Sequence, residues 1–226
     1  MFFKPSPSSS ARFYPVSGFA AQQRPILIVD DHPAIRVAVR STMAKLDGIN
    51  HIIEAADGPD AVEKFKKYQP LLVILDLNLP GMDGLSLMRH LIASGQHSKY
   101  LVYSGLDANI YAIRARKAGA NGFISKIHGL EMIESAARSI INGVDCFPMG
   151  TSELQEPDQT AIHRLSNREM TILSYLIKGV SNKEIADKLF IDAKTVSTYK
   201  NRILKKTKAK NIVDLIYLCQ EHWRGA

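Results

Sequence analysis

Between Pro25 and Asp145 short apolar runs alternate with amphipathic stretches, and no other feature constrains the fold as strongly. The runs ILIVD (26–30), HIIEA (51–55), LLVILD (71–76), YLVYS (100–104) and GFISK (122–126) are five or six residues long. LLVILD carries Val73 and Ile74 and is followed by a Pro-Gly turn, so it reads as a strand buried on both faces of a parallel sheet. Helix periodicity runs through Ile35, Val39, Met43 and Leu46, then through Ala61, Val62 and Phe65, from Leu85 to Ile92, around 108–118, and from Leu130 to Ile141. Five strands alternating with five helices predict an α/β doubly wound parallel sheet, with right-handed crossovers covering both faces.

After Gly143 this pattern stops. Residues 146–160 are polar with two prolines and read as a linker. Only helix periodicities follow: one opening at Ser166 with Glu169 as a capping box, one from Ser181 to Leu189, one from Ala193 to Lys206, and one from Ile212 to about His222. Residues 1–24 are rich in Ser and Pro, lack the continuous apolar segment of a secretory signal, and read as a flexible extension. The expected domains are therefore 25–145 and 161–226. No apolar stretch approaches the roughly 20 residues needed to span a bilayer, and a cytoplasmic location is expected. Cys146 and Cys219 have no metal-ligand or CxxC spacing and read as free thiols.

Charge divides along the same boundary. Residues 160–226 hold 13 Lys+Arg against 6 Asp+Glu, whereas the first 159 hold 16 of each, so the excess of +7 lies wholly in the last third. A neutral domain joined to a basic one predicts that the second meets a polyanion.

In the sheet domain, Asp30 and Asp31 follow the first strand and Asp76 follows the third. Strands one and three can be neighbours at the switch point of such a sheet, so these carboxylates converge. Three convergent carboxylates repel one another unless a cation or proton intervenes, and hard oxygen ligands suit Mg2+. Ser104 ends the fourth strand and Lys126 the fifth. Taken singly, Asp31 before His32 and Pro33 reads as a helix cap, Ser104 as a turn residue and Lys126 as a solvated lysine. Taken together, the set suits an aspartate nucleophile attacking a phosphorus centre, with cations on the phosphoryl oxygens.

VDDHP, LDLNLPGMDG, YSG and GFISK resemble the motifs of bacterial response-regulator receiver domains over about residues 25–145. The resemblance implies strand order 2-1-3-4-5 and Asp76 as phospho-acceptor. It implies Mg2+ bound by Asp31, Asp76 and the backbone carbonyl of Asn78, with Asp30 reaching the ion through water. Ser104 and Lys126 would contact the phosphoryl group, Ser104 moving toward it as Phe123 rotates inward. Many receivers follow the lysine with a cis proline, whereas Ile127 stands here. Haloacid-dehalogenase-type phosphatases also use a nucleophilic Asp after a strand, but need a carboxylate two residues later as acid/base. Asn78 occupies that position and cannot transfer a proton at neutral pH, which favours a slow switch over an enzyme.

In the basic domain, Ser181 can cap a helix whose buried stripe is Ile185, Ala186 and Leu189, and Asp192 can cap the next. Two short helices joined by a tight turn match helix-turn-helix geometry. On a helical wheel Val196, Tyr199 and Ile203 share one face, opposite Ser197, Thr198, Asn201, Arg202 and Lys205. The second face can enter a major groove, where Asn reads adenine and Lys or Arg holds phosphate. Thr195, Ser197 and Thr198 are poor choices for an idle exposed helix.

LSNRE, GVSNKEIA and KTVSTYKNRILKK resemble the LuxR-type DNA-binding domain of the NarL/FixJ response regulators over about residues 161–226, and FIDAKTVSTYK, GANGFISK and the CFP at 146–148 resemble the BvgA/EvgA-like branch. The resemblance implies base contacts from Ser197, Thr198 and Asn201, and phosphate contacts from Lys183, Lys194, Thr195, Tyr199 and Lys200. It places dimer contacts on the last helix near Val213, Asp214 and Tyr217. Members often carry Lys, Val and Lys at the three base-reading positions, which Ser197, Thr198 and Asn201 do not match.

Together these readings predict a phosphorylation-activated transcriptional regulator, not an enzyme. A sensor histidine kinase would phosphorylate Asp76, and the chain would then form a homodimer on double-stranded DNA, where RNA polymerase is a further expected partner. A phosphorylation-gated protein-interaction adaptor is the alternative.

Overall fold

The structure is a computed structural model that describes residues 24–148 and 161–224. The expected extension and linker thus lie outside the described residues, apart from Arg24 and residues 146–148. The Arg24 guanidinium donates hydrogen bonds to the carbonyls of Gln69, Pro70 and His97 at 2.7–2.8 Å.

Five parallel strands form the main sheet: β1 (Ile26–Val29), β2 (Ile52–Ala55), β3 (Leu72–Leu75), β6 (Lys99–Ser104) and β7 (Gly122–Ser125). Their order is β2-β1-β3-β6-β7, which counted over these five is the expected 2-1-3-4-5. Helices α1 (Pro33–Met43) and α5 (Leu130–Ile141) cover one face; α2 (Gly58–Tyr68), α3 (Gly84–Ala93) and α4 (Ala108–Lys117) cover the other. The strand alternation divides two cores. Ile26, Ile28, Leu72, Ile74, Leu101, Tyr103 and Ile124 face α1 and α5, while Leu27, Val29, Val73, Leu75, Tyr100, Val102 and Phe123 face the other three helices. This double burial is why the strands read as continuous apolar runs.

Three local expectations need correction. First, α1 ends at Met43, and Leu46 enters the core from the turn that leads to Gly48, whose φ of +80° lies in the left-handed region. Second, Asp31 does not cap α1: His32 is the N-cap residue and no side chain caps it, because the Asp31 carboxylate is directed at the His32 ring. Third, the stretch after Asp76 is more than a turn. Residues Asn78–Leu79 (β4) and Met82–Asp83 (β5) pair antiparallel around Pro80 and Gly81, the latter at φ +72°. The described residues contain no cis peptide bond, Lys126–Ile127 included.

The second domain contains a short 3-10 turn (Ala161–Arg164) and helices α6 (Asn167–Leu176), α7 (Asn182–Leu189), α8 (Ala193–Thr207) and α9 (Ile212–Arg224). Two capping boxes start helices as the sequence predicts, Ser166 with Glu169 on α6 and Ser181 with Glu184 on α7. Asp192 holds the N-cap position of α8, but its exposed side chain makes no cap hydrogen bond, contrary to expectation. Phe190, at φ +52°, turns the chain between α7 and α8. Val196 and Ile203 anchor α8 on Ile185 and Leu189, and this core continues through α6 into the α2–α4 side of the sheet domain.

Candidate functional site

Asp30, Asp76 and Lys126 each stand one residue beyond a strand, and backbone pairing holds them there. Asp30 N–H donates to Ala55, Asp76 N–H to Val29, and Lys126 N–H to the Ser104 carbonyl, at 2.9–3.1 Å. The ladder thus extends just past the strands and fixes the side chains above the carboxyl edge of the sheet, where such folds place ligands. Asp76 Oδ1 accepts from the Ser104 hydroxyl at 2.6 Å and from the Asn78 backbone N–H at 3.1 Å, while Asp76 Oδ2 accepts from the Lys126 ammonium at 2.5 Å. Lys126 also reaches Asp30 Oδ2 at 2.6 Å. Asp30, Asp76 and Ser104 are buried, and Asp31 is half-buried.

These contacts set the charges. Burial, then the repulsion of Asp76, raise the Asp30 pKa despite Lys126. Burial alone would lower the Lys126 pKa, but Asp76 and Asp30 outweigh it and the shift is upward, so the ammonium stays charged. Asp30, Asp31, His32 and Asp76 bring ligand atoms within 4.8 Å of one another. Asp31 Oδ1 is shielded from solvent and lies 2.7 Å from His32 Nδ1, yet accepts no hydrogen bond. An oxygen-rich cluster with such an atom fits a hard divalent cation. Phe123 is fully buried, packed in the sheet core beside this edge.

The DNA-reading residues expected from the sequence fall on two faces of α8 and on α7. Val196 and Ile203 are buried, Tyr199 is half-buried, and the Arg202 guanidinium lies 5.7 Å from the Tyr199 ring centre. Lys194, Thr198, Asn201 and Lys205 are exposed along the outer face; Thr195, Ser197 and Lys200 are partly covered. Lys183 is exposed in the first turn of α7. Ser197 Oγ donates to the Ala193 carbonyl and Thr198 Oγ1 to the Lys194 carbonyl, both at 3.0 Å, so both hydroxyl protons are used within the helix. Asn182, which the sequence did not single out, donates from Nδ2 to Ser197 Oγ at 3.0 Å and ties α7 to α8. On α9, Val213 and Tyr217 are 61% and 64% exposed.

Residues 26–138 match the family described as response regulator receiver domain, and residues 163–219 match bacterial regulatory proteins, luxR family. The chain belongs to the LuxR-type response regulators. It is 40% identical over 203 residues to the virulence-factor positive transcription regulator BvgA of Bordetella pertussis, covering 87% of this chain and 97% of that one. It is 33% identical over 202 residues to the DNA-binding transcriptional activator EvgA of Escherichia coli, covering 88% and 98%. Among solved structures, RcsB of Salmonella typhimurium shares the fold with a TM-score of 0.62 at 23% identity, over 88% of this chain and 98% of that one.

As a response regulator of this family the chain joins a receiver to a LuxR-type DNA-binding domain, and three sets of residues not legible in the sequence connect the two. Tyr111 on α4 and Thr171 on α6 share a buried hydroxyl pair at 2.9 Å. Arg114 donates to the Leu165 carbonyl and to Asn167 Oδ1 at 3.1 Å, and Asn167 Nδ2 donates to Asp83 Oδ2 at 3.0 Å. Third, Tyr175, Lys188 and Phe190 of the DNA-binding domain line a cleft of about 370 Å³ together with Asp31, Asp76 and Lys126 of the receiver. No described helix is long and apolar enough to cross a membrane.

Proposed function

We propose that this chain is a phosphorylation-activated regulator of transcription in which Asp76 accepts a phosphoryl group from the phosphohistidine of a sensor kinase. The observation that carries this is one carboxylate, Asp76, met by a hydroxyl (Ser104) and an ammonium (Lys126) beside two further carboxylates, in a chain that also presents an exposed basic helix face. Asp76 Oδ attacks phosphorus in line as the bond to the donor breaks, and the leaving group departs with the electron pair. Lys126 neutralises charge on the transferred group, and Ser104 donates to it. The same Ser104 hydroxyl leaves Asp76 Oδ1 in doing so; Phe123 is already buried beside this edge, so it relays the change by repacking in place and not by the inward rotation expected from the sequence. Asp31, Asp76 and the Asn78 carbonyl would hold Mg2+, with Asp30 acting through water; bound there, the ion would offset negative charge on the phosphoryl oxygens.

The acyl phosphate favours a homodimer through α9, where Val213, Asp214 and Tyr217 form the contact. Each α8 then enters a major groove, with Ser197, Thr198 and Asn201 at base edges and Lys183, Lys194, Thr195, Tyr199 and Lys200 at phosphates. Relatives described as a positive regulator and an activator favour recruitment of RNA polymerase at a promoter. The site of action is the cytoplasm, and the Asp76 chemistry serves switching, not turnover of a substrate.

The test is DNA binding with and without beryllofluoride, a mimic of the acyl phosphate, across a salt series. Tighter, site-selective binding with beryllofluoride is expected, with log Kd varying steeply with log salt, by about 0.9 per phosphate contact. Asp76→Asn should remove both this response and labelling by acetyl phosphate. Retained labelling in Asp76→Asn would sink the acceptor assignment, and salt-insensitive, unselective binding would move the reading to an interaction adaptor.

A further inference from the structure

The cleft above Asp76 is walled by both domains. The receiver contributes Asp31, Asp76 and Lys126; the DNA-binding domain contributes Tyr175 from α6, Lys188 from α7 and Phe190 from the turn before α8. Its volume of about 370 Å³ exceeds that of a phosphoryl group many times over, each water occupying about 30 Å³ of liquid. Burial, then the Asp76 charge, raise the pKa of Tyr175 in this cleft. Lys188 makes no hydrogen bond or ion pair among the described residues. It acts electrostatically on Glu184, one turn back on the same helix, whose carboxylate is engaged with Ser181.

With Mg2+ held as proposed above, the ion and Lys126 offset Asp30, Asp31 and Asp76, and an incoming phosphoryl donor adds negative charge beyond that balance. A cation arriving from the opposite wall acts on the donor before and during transfer, when developing charge is most responsive to a fixed positive group.

We propose that Lys188, carried by the DNA-binding domain, is a second cation of the acceptor pocket, which speeds transfer to Asp76 from small dianionic acyl phosphates while Tyr175 and Phe190 narrow the mouth of the cleft. This rests on Asp76 being the acceptor. In the step itself an Asp76 oxygen forms a bond to phosphorus, the bond from phosphorus to the acetate oxygen breaks, and acetate leaves with that electron pair. The rate of labelling therefore depends on which residue the other domain presents to the pocket, so the DNA-binding domain takes part in its own activation.

The experiment follows labelling of the full chain by acetyl phosphate with Mg2+, at low and high salt, for wild type, Lys188→Ala, Lys188→Glu and Lys188→Arg, with thermal melting as a check on folding. Lys188→Ala is expected to slow labelling about two- to fivefold at low salt, the range for one solvent-accessible charge pair. Lys188→Glu should be slower still, Lys188→Arg close to wild type, and the differences should shrink at high salt. Wild-type rates in both Lys188→Ala and Lys188→Glu at low salt overturn this inference and leave Asp76 as acceptor. Absence of labelling in wild type overturns the acceptor reading, and this inference with it.

Discussion

Single residues at the two helix starts nearest the sites carry more than local structure. Glu169 is almost fully buried, accepts from the Ser166 backbone N–H at 2.7 Å, and is held by Lys206 of α8 at 2.7 Å. Burial works against its charge, but Lys206 and Ser166 prevail, and its pKa lies below the ordinary carboxylate value. A carboxyl with a depressed folded pKa contributes stability that is fully present above its unfolded pKa and is lost as pH falls through the folded one. Wild type should thus lose stability below about pH 4.5 more steeply than Glu169→Gln, measured by urea midpoints across pH. At pH 7 the substitution should cost about 1–3 kcal/mol by removing a buried charged acceptor; parallel acid profiles would reject this role. Gly84 constrains the acceptor itself. A Cβ there would lie 2.5 Å from the Leu77 Cα and 2.7 Å from the Asp76 carbonyl oxygen, both backbone atoms that must shift. Gly84→Ala should cost about 1–3 kcal/mol and slow acetyl-phosphate labelling; wild-type labelling with wild-type stability would show the loop to be tolerant.

At the scale of elements, α8 divides its tasks by face. Ile203→Ala removes a fully buried side chain from the α8 core contact and should cost about 2–5 kcal/mol in folding. Asn201→Ala, on the exposed face, should leave melting unchanged and weaken discrimination at one base position by about 1–3 kcal/mol. Equal base preferences in Asn201→Ala and wild type would remove that residue from readout. This division was legible beforehand because Val196, Tyr199 and Ile203 recur at helical spacing. The inner strands were legible for a related reason: burial on both faces writes an uninterrupted apolar run, and a carboxylate ending such a run stands out. The β4–β5 hairpin escaped because two-residue strands have no period. Taken alone, Asp31 reads as a helix cap because a helix start and the His32 ring compete for its carboxylate and sequence does not rank them; read with Asp30 and Asp76, it falls in the acidic cluster where the structure has it. Asn182, Lys188 and the Tyr111–Thr171 pair were illegible for another reason. Each acts across a gap in the chain, and contact at that range leaves no local pattern.

At the scale of the whole molecule, the hydroxyl pair between the domains has a direction. Thr171 Oγ1 already donates its one proton to the Asn167 carbonyl at 3.0 Å, so Tyr111 must donate to Thr171. Tyr111→Phe therefore leaves no orphan donor and loses one buried hydrogen bond, worth about 0.5–1.5 kcal/mol. Arg114→Ala removes the bonds to Leu165 and Asn167. Both substitutions weaken the closed pairing while keeping each domain's own core. The outer face of α8 remains exposed in that pairing, so closure does not work by covering it. What closure restricts is the orientation of one recognition helix relative to another in a dimer, which must match half-sites about one helical turn apart. The combined variant should bind paired half-sites about five- to tenfold more tightly than unphosphorylated wild type, with a larger radius of gyration in solution scattering. Its affinity for a single half-site should not change, since the reading face was never hidden. Equal gains on single and paired sites would mean that the receiver obstructs α8 directly. No gain on either would mean that the interdomain bonds do not limit DNA binding.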